Sequence, residues 1–315
     1  MVSTIDGNQG HGWGQFPISA PDLREFFRTF FDFLLFSSLF MGMQGIGMVY
    51  VSYLIQGITP SPMALAIMLL VPLSVYNMNR KTDEEEDSVN HPARYQFTKR
   101  FGKALEYGAL IAYALAVLIA VPFGLGAVLV TLVPLVAGIL YSVPLLPPRF
   151  GYRRLKEIPV MKNLVVGSSW AIIVAFLPCM IAGVPLTLQT LLTLVLFFSY
   201  VFIASAMPDM RDREGDAMAG VITIPVLIGL DRTKQVLNAL NWSTAIAVIA
   251  VGICATLPPL LMALFAGTLC YTQCCITSFG RLVSPDRICD IFLDGGFVII
   301  GSAVFLLQAI VPLLL

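Results

Sequence analysis

The sequence predicts an all-α integral membrane protein with many spans, and three observations carry that reading. Of 315 residues, 57% are hydrophobic and only 12% are charged, whereas a soluble domain carries about 25% charged residues. Mean hydropathy is +0.84, and apolar stretches near the ~20 residues needed to cross a bilayer core recur from end to end. The alternating apolar-out, polar-in pattern of a membrane β-barrel is absent.

Taken in order, residues 1–20 form a polar, Gly-rich N-terminal tail, MVSTIDGNQGHGWGQFPISA, without the basic and apolar regions of a signal peptide. Residues 21–315 then read as a single transmembrane domain. Its apolar runs place nine spans at 30–56, 61–79, 104–121, 126–143, 161–182, 186–207, 233–253, 258–279 and 290–313. Alternate spans are joined by uncharged Gly/Pro connectors: GITPSP, PFGLG, AGVPLT and ICATLPP. The other connectors (80–103, 144–160, 208–232 and 280–289) are longer and hold most of the charge.

Lys and Arg concentrate on the cytoplasmic side of multi-pass proteins. With the N-terminus inside, Arg24, Arg28, Arg149, Arg153, Arg154, Lys156, Arg281 and Arg287 all fall on that side, and no Lys or Arg falls outside. The expected location is the cell membrane, multi-pass, with the charged connectors facing the cytoplasm. A formal net charge of zero points to no nucleic-acid partner. The six cysteines sit mostly within apolar runs, and CYTQCC (Cys270, Cys274, Cys275) reads as small buried hydrophobes of a helix rather than a soft-metal cluster.

Chemistry concentrates in two charged connectors. In NRKTDEEED, Asn79, Asp83 and Asp87 follow an i, i+4, i+8 spacing. Helical neighbours four apart share a face, so a helix continuing past the second span aligns one amide and two carboxylates. Glu84, Glu85 and Glu86 point elsewhere, toward water. In PDMRDREGD, Asp209, Asp212 and Asp216 form D-x2-D-x3-D. Asp83 to Asp212 and Asp87 to Asp216 are equally far apart, and both motifs end an even-numbered span. This suggests two related halves, about 21–145 and 146–315.

Facing carboxylates repel unless a cation lies between them, and hard oxygen donors favour Mg²⁺ held together with substrate phosphates. His11 lies in the tail and His91 reads as isolated, which leaves no zinc set. Interleaved bases, including Arg80, Lys156, Lys162, Arg211 and Arg213, fit a diphosphate bound through Mg²⁺. Lys162 opens an apolar helix and can point into the bundle. A third pair, Asp290 and Asp294, lacks the Asn and the adjacent bases. It reads as structural, favoured by the N-terminal dipole of the last helix.

With these motifs in place, the chain resembles the UbiA-type intramembrane prenyltransferases, as a divergent, archaeal-like member. The resemblance rests on N-x3-D-x3-D as NRKTDEEED, on DMRDREGD followed by AGVITIPVLIG, and on the intervening stretch YSVPLLPPRFGYRRLKEIPVMKNLVVGSSWA. It covers about residues 25–310. It implies a nine-transmembrane-helix bundle with a central cavity, capped on the cytoplasmic side by loops or short helices. It further implies Mg²⁺, with Mn²⁺ as a substitute, bridging the Asp motifs to an isoprenyl diphosphate whose tail lies in the membrane cavity. The prenyl group would pass to a hydrophobic acceptor, aromatic or lipid.

Carried over by position, Asn79, Asp83, Asp87, Asp212 and Asp216 hold the metal and diphosphate, with the four aspartates as catalytic residues. Arg80, Lys156, Lys162 and Asp209 are substrate-binding. Tyr76, Tyr141, Trp170 and Tyr200 offer π faces to a carbocation, although such aromatics are more often packing residues. Two departures bear on the acceptor: SVNHPARYQFTKRFG replaces an R-P-x3-G pattern, and Pro208 stands where many members place Lys or Tyr. Rival readings are a CDP-alcohol phosphotransferase-like enzyme, whose D-x2-D-G-x2-A-R pattern is missing, and a transporter, which would place acids at mid-helix.

Overall fold

The computed structural model describes residues 23–82, 88, 91–142, 147, 152, 154–155, 158–218 and 221–314. Among these, every regular element is helical, and the one strand-like feature is an isolated bridge between Phe279 and Val283. In chain order the helices are α1 Leu23–Phe36, α2 Leu39–Gln56, α3 Pro62–Thr82, α4 Pro92–Ala120, α5 Leu125–Ser142, α6 Met161–Ala182, α7 Leu188–Arg211 and α8 Arg213–Met218. They continue as α9 Ile224–Ile228, α10 Leu230–Cys254, α11 Pro259–Ser278, α12 Pro285–Arg287 running into a π-helical turn Ile288–Leu293, and α13 Gly296–Leu314.

Seven of these helices are long and apolar enough to cross a membrane. An eighth crossing is present if Pro285–Leu293 and Gly296–Ile310, bent by 46° at their junction, form one broken span. The stretch Leu125–Leu140 is apolar but shorter. The chain is thus a multi-pass membrane protein. Helix α7 is the most buried of the spans and α4 the least. Leu110, Ile111, Leu115 and Leu118 stand exposed along α4, as expected of a face turned to lipid.

Lipid tails are as apolar as leucine, so cohesion inside a bilayer comes from close packing and interhelical hydrogen bonds rather than from burial. Both devices are visible around α2. A Cβ on Gly45 would collide with the Met68 carbonyl of α3, and one on Gly47 with the Phe297 carbonyl of α13. Glycine lets these backbones touch. The Met68 carbonyl is also one that Pro72, four residues on, leaves without a helical donor. Pro178 does the same to the Val174 carbonyl in α6, and there Ser52 Oγ of α2 supplies the missing donor at 2.6 Å. Gln56 adds a bond to the Ala175 carbonyl at 3.0 Å.

Three predicted boundaries are corrected. The span read at 30–56 is two helices, broken where Ser38 takes a left-handed conformation at φ 63°. Side chains of α3 reach the carbonyls there: Asn77 Nδ2 donates to the Ser37 carbonyl at 3.0 Å, and Arg80 donates at 2.7 Å to the Leu35 carbonyl, which also accepts the Ser38 N–H. The connector read at 80–103 ends earlier, because Pro92 starts a helix that runs unbroken through Lys99 and Arg100 into the membrane. A proline in the first turn costs no hydrogen bond, since that N–H has no helical partner. The span read at 290–313 is interrupted at Asp294–Gly295.

Candidate active site

Six helical segments meet at one end of the bundle and enclose a cavity of about 580 Å³. The C-terminal turn of α3 contributes Asn79 and Arg80, and the start of α4 contributes His91 and Arg94. Lys162 comes from the first turn of α6, and Asp209, Arg211, Asp212 and Asp216 from the end of α7 and from α8. Asp290 and Asp294 come from the broken last span. Deeper, the lining turns apolar with Phe40, Met41, Val75, Tyr76, Val166 and Trp170. A small pocket of about 60 Å³ continues from there past Gln44, Met48 and Tyr200. Tyr76 and Trp170 stack with ring centroids 6.0 Å apart.

The second acidic motif keeps its helical register across a bend. Asp212 caps α7, its N–H bonded to the Pro208 carbonyl at 2.9 Å, and the Asp216 N–H bonds to the Asp212 carbonyl at 2.9 Å. Asp212 and Asp216 therefore lie one turn apart. Asp209 is buried, and its two oxygens accept from Lys162 Nζ at 2.7 Å and Asn163 Nδ2 at 3.3 Å. Asp212 is gripped by the neighbouring Arg211 through Nε at 2.8 Å and Nη2 at 3.0 Å. Arg211 also reaches Asp290 at 2.8 Å and the His91 ring at 2.9 Å.

Burial opposes ionisation of Asp212, but the adjacent His91 ring and the hydrogen-bonded, charged Arg211 guanidinium outweigh it and hold this carboxyl well below the usual range. Asp216 goes the other way. Burial first, and then the Asp209 charge, push its carboxyl up to about 6 against the pull of Lys162. A carboxylate strained by burial and by like charge is relieved by a cation. The oxygen donors here suit a hard divalent ion better than zinc. Among the described residues no three His, Cys, Asp or Glu side chains converge closely enough to hold a metal by themselves.

Of the residues singled out from the sequence, Asn79, Arg80, Lys162, Asp209, Asp212 and Asp216 line this one cavity. Arg80 also bonds the α1 backbone. Asp83, Asp87 and Lys156 lie outside the described residues, as do Glu84, Glu85, Glu86 and the Tyr141 side chain; helix α3 is described up to Thr82. Two expectations change. His91, read as isolated, lies against Arg211, 3.6 Å from Asp212, because α4 starts at the cavity rim. Asp290 and Asp294 do not merely open a helix: Asp290 pairs with Arg211, and both line the cavity. Nothing local in the sequence marks His91. The pair at 290 and 294 carried the D-x3-D spacing but lacked adjacent bases, which α7 supplies across the fold as Arg211.

Residues 37–288 match the profile of the UbiA prenyltransferase family. The chain belongs to the UbiA prenyltransferase family. It is therefore a prenyltransferase, and the CDP-alcohol phosphotransferase and transporter readings fall away. Solved structures of similar fold include a UbiA homologue from Archaeoglobus fulgidus bound to GPP and Mg²⁺. It is 20% identical, with 86% of this chain and 98% of that chain covered and a TM-score of 0.64. The apo UbiA homologue from Aeropyrum pernix K1 is 14% identical, with coverage of 83% and 98% and a TM-score of 0.62. A digeranylgeranylglyceryl phosphate synthase is 13% identical, with coverage of 89% and 96% and a TM-score of 0.56. The Archaeoglobus homologue has also been solved with DMAPP and Mg²⁺ and with Cd²⁺. No curated protein matches significantly.

Proposed function

We propose that this UbiA-family member transfers an isoprenyl group from an isoprenyl diphosphate to a hydrophobic aromatic or lipid acceptor, with Mg²⁺ as cofactor and Mn²⁺ as a working substitute. The observation that carries the reading is one continuous space with two chemistries: a rim of carboxylates and cations, and an apolar floor behind a stacked Tyr76–Trp170 pair. A diphosphate with a hydrocarbon tail has the same two halves. Archaeal relatives of the same fold bind GPP or DMAPP with Mg²⁺, which supports the assignment.

In this reading Asn79, Asp83, Asp87, Asp212 and Asp216 hold the cation. When bound, the cation neutralises charge that grows on the departing diphosphate. Arg80, Lys156 and Lys162 meet the diphosphate oxygens, which matters most as the allylic C–O bond breaks. Asp209 anchors Lys162 for that purpose, at 2.7 Å. The aromatic pair presents π faces to the allylic cation, and the apolar depth keeps water from quenching it.

We further infer a single domain over 21–315 built of two related halves. Its nine spans are the seven long helices, the broken last one and the shorter Leu125–Leu140. The N-terminus and the site lie on the cytoplasmic side, where the Lys and Arg excess falls. The test is a transfer assay: protein in lipid nanodiscs with radiolabelled geranyl diphosphate, Mg²⁺ and an apolar cell extract. Label moving into an apolar product supports the function. Label that stays on diphosphate while the protein still binds geranyl diphosphate rejects it.

A further inference from the structure

The last span breaks where it passes the cavity, and the break is built into the surrounding fold. Gln44 Nε2 at 3.1 Å and the Tyr200 hydroxyl at 2.7 Å both donate to the Leu293 carbonyl. The Tyr271 hydroxyl donates to the Phe292 carbonyl at 2.6 Å, and Gln44 Oε1 accepts from the Phe297 N–H at 2.7 Å. An opened backbone at membrane depth persists only where protein groups satisfy it. Here side chains from α2, α7 and α11 do so, and the π-helical turn preceding the break is of a kind found often at functional sites.

The break presents Asp294. This residue lines both the main cavity and the deeper pocket, beside Tyr76 and Trp170. Among the described residues no donor hydrogen-bonds its carboxylate, while the nearby Arg211 is taken up by Asp290 and Asp212. A poorly solvated carboxylate without a donor is costly, so its placement on this wall calls for a ligand that brings one.

Prenyl transfer supplies such a group. The allylic C–O bond breaks and its electron pair leaves on the diphosphate. The acceptor's nucleophilic atom forms the new bond to the allylic carbon, and the proton that the acceptor loses needs a base. In the reading above Asp83, Asp87, Asp212 and Asp216 serve the cation, and Asp209 holds Lys162. Asp294 belongs to neither motif and lies where the polar rim gives way to the apolar depth. We propose that Asp294 accepts a hydrogen bond from an O–H group of the acceptor, holds it against the allylic carbon and takes its proton, so that the acceptor is an apolar molecule bearing a hydroxyl. This rests on the prenyl-transfer reading above.

The test compares wild type, Asp294→Asn and Asp294→Glu in nanodiscs. Labelled geranyl diphosphate with Mg²⁺ is the binding probe, and the apolar extract of cells lacking the gene is the acceptor source. Asp294→Asn should bind geranyl diphosphate as wild type does, which also shows that it is folded, yet lose transfer by about 100-fold or more, the usual range for a lost general base. Asp294→Glu should recover part of it. Transfer by Asp294→Asn close to the wild-type rate overturns the proposal. So does loss of geranyl diphosphate binding in both variants, which would assign the residue to the diphosphate half. A wild-type protein that fails to bind geranyl diphosphate with Mg²⁺ contradicts the prenyl-transfer reading itself, and this inference with it.

Discussion

Removing Gln44 and Tyr200 together should destabilise the protein by more than the sum of removing each. Both donate to the Leu293 carbonyl, so either single variant leaves that carbonyl one partner. In Gln44→Leu the Phe297 N–H loses its acceptor at 2.7 Å, and an orphaned buried group costs about 1–3 kcal/mol. Tyr200→Phe removes one hydrogen bond while Gln44 stays on the carbonyl, at a net cost of about 0.5–1.5 kcal/mol. In the double variant the carbonyl at the break has no side-chain donor, which adds about 1–3 kcal/mol beyond the two single costs. The assay is equilibrium unfolding of all four proteins in mixed micelles, read as a double-mutant cycle. Additivity within about 0.5 kcal/mol would refute the claim that these two side chains jointly sustain the break.

Three further outcomes follow from the site. Asp87→Ala and Asp216→Ala should each abolish prenyl transfer without loss of expression, whereas Glu85→Ala should be nearly silent; a Glu85→Ala defect as large as that of Asp87→Ala would overturn the assignment of one helical face to the metal. Cation binding should weaken in acid. Asp216 titrates near 6, so below that pH a bound proton must leave before the ion enters. Mn²⁺ affinity, read from free Mn²⁺ by electron paramagnetic resonance, should be flat above that pH and fall by about tenfold per pH unit below it; a flat profile throughout would contradict this. Lys162→Met should weaken geranyl diphosphate binding and lower stability, because Asp209 is left buried with Asn163 as its remaining partner. Unchanged binding would remove Lys162 from the diphosphate contacts.

Much of this architecture was legible because apolar length and turn chemistry are local signals. The runs at 161–182 and 186–207 correspond to α6 and α7 within a few residues. Breaks within spans were not legible, for a physical reason. The left-handed turn at Ser38 is sustained by Asn77 and Arg80 from another helix, and the break at Asp294 by Gln44, Tyr200 and Tyr271. Such compensation is tertiary, and an apolar window averages over it. The site divides along the same line. Asp209, Asp212 and Asp216 follow a spacing that can be read directly. His91 and Asp290 join the site only because α4 and the last span bring them to Arg211.

The claim that joins these parts is that a divalent cation ties the acidic rim to a diphosphate. Calorimetric titration of geranyl diphosphate into the protein in nanodiscs, once with Mg²⁺ and once with EDTA, tests it most directly. Binding in Mg²⁺ that disappears in EDTA, and that weakens sharply in Asp212→Asn, is the expected result. Equal affinity in EDTA would contradict it.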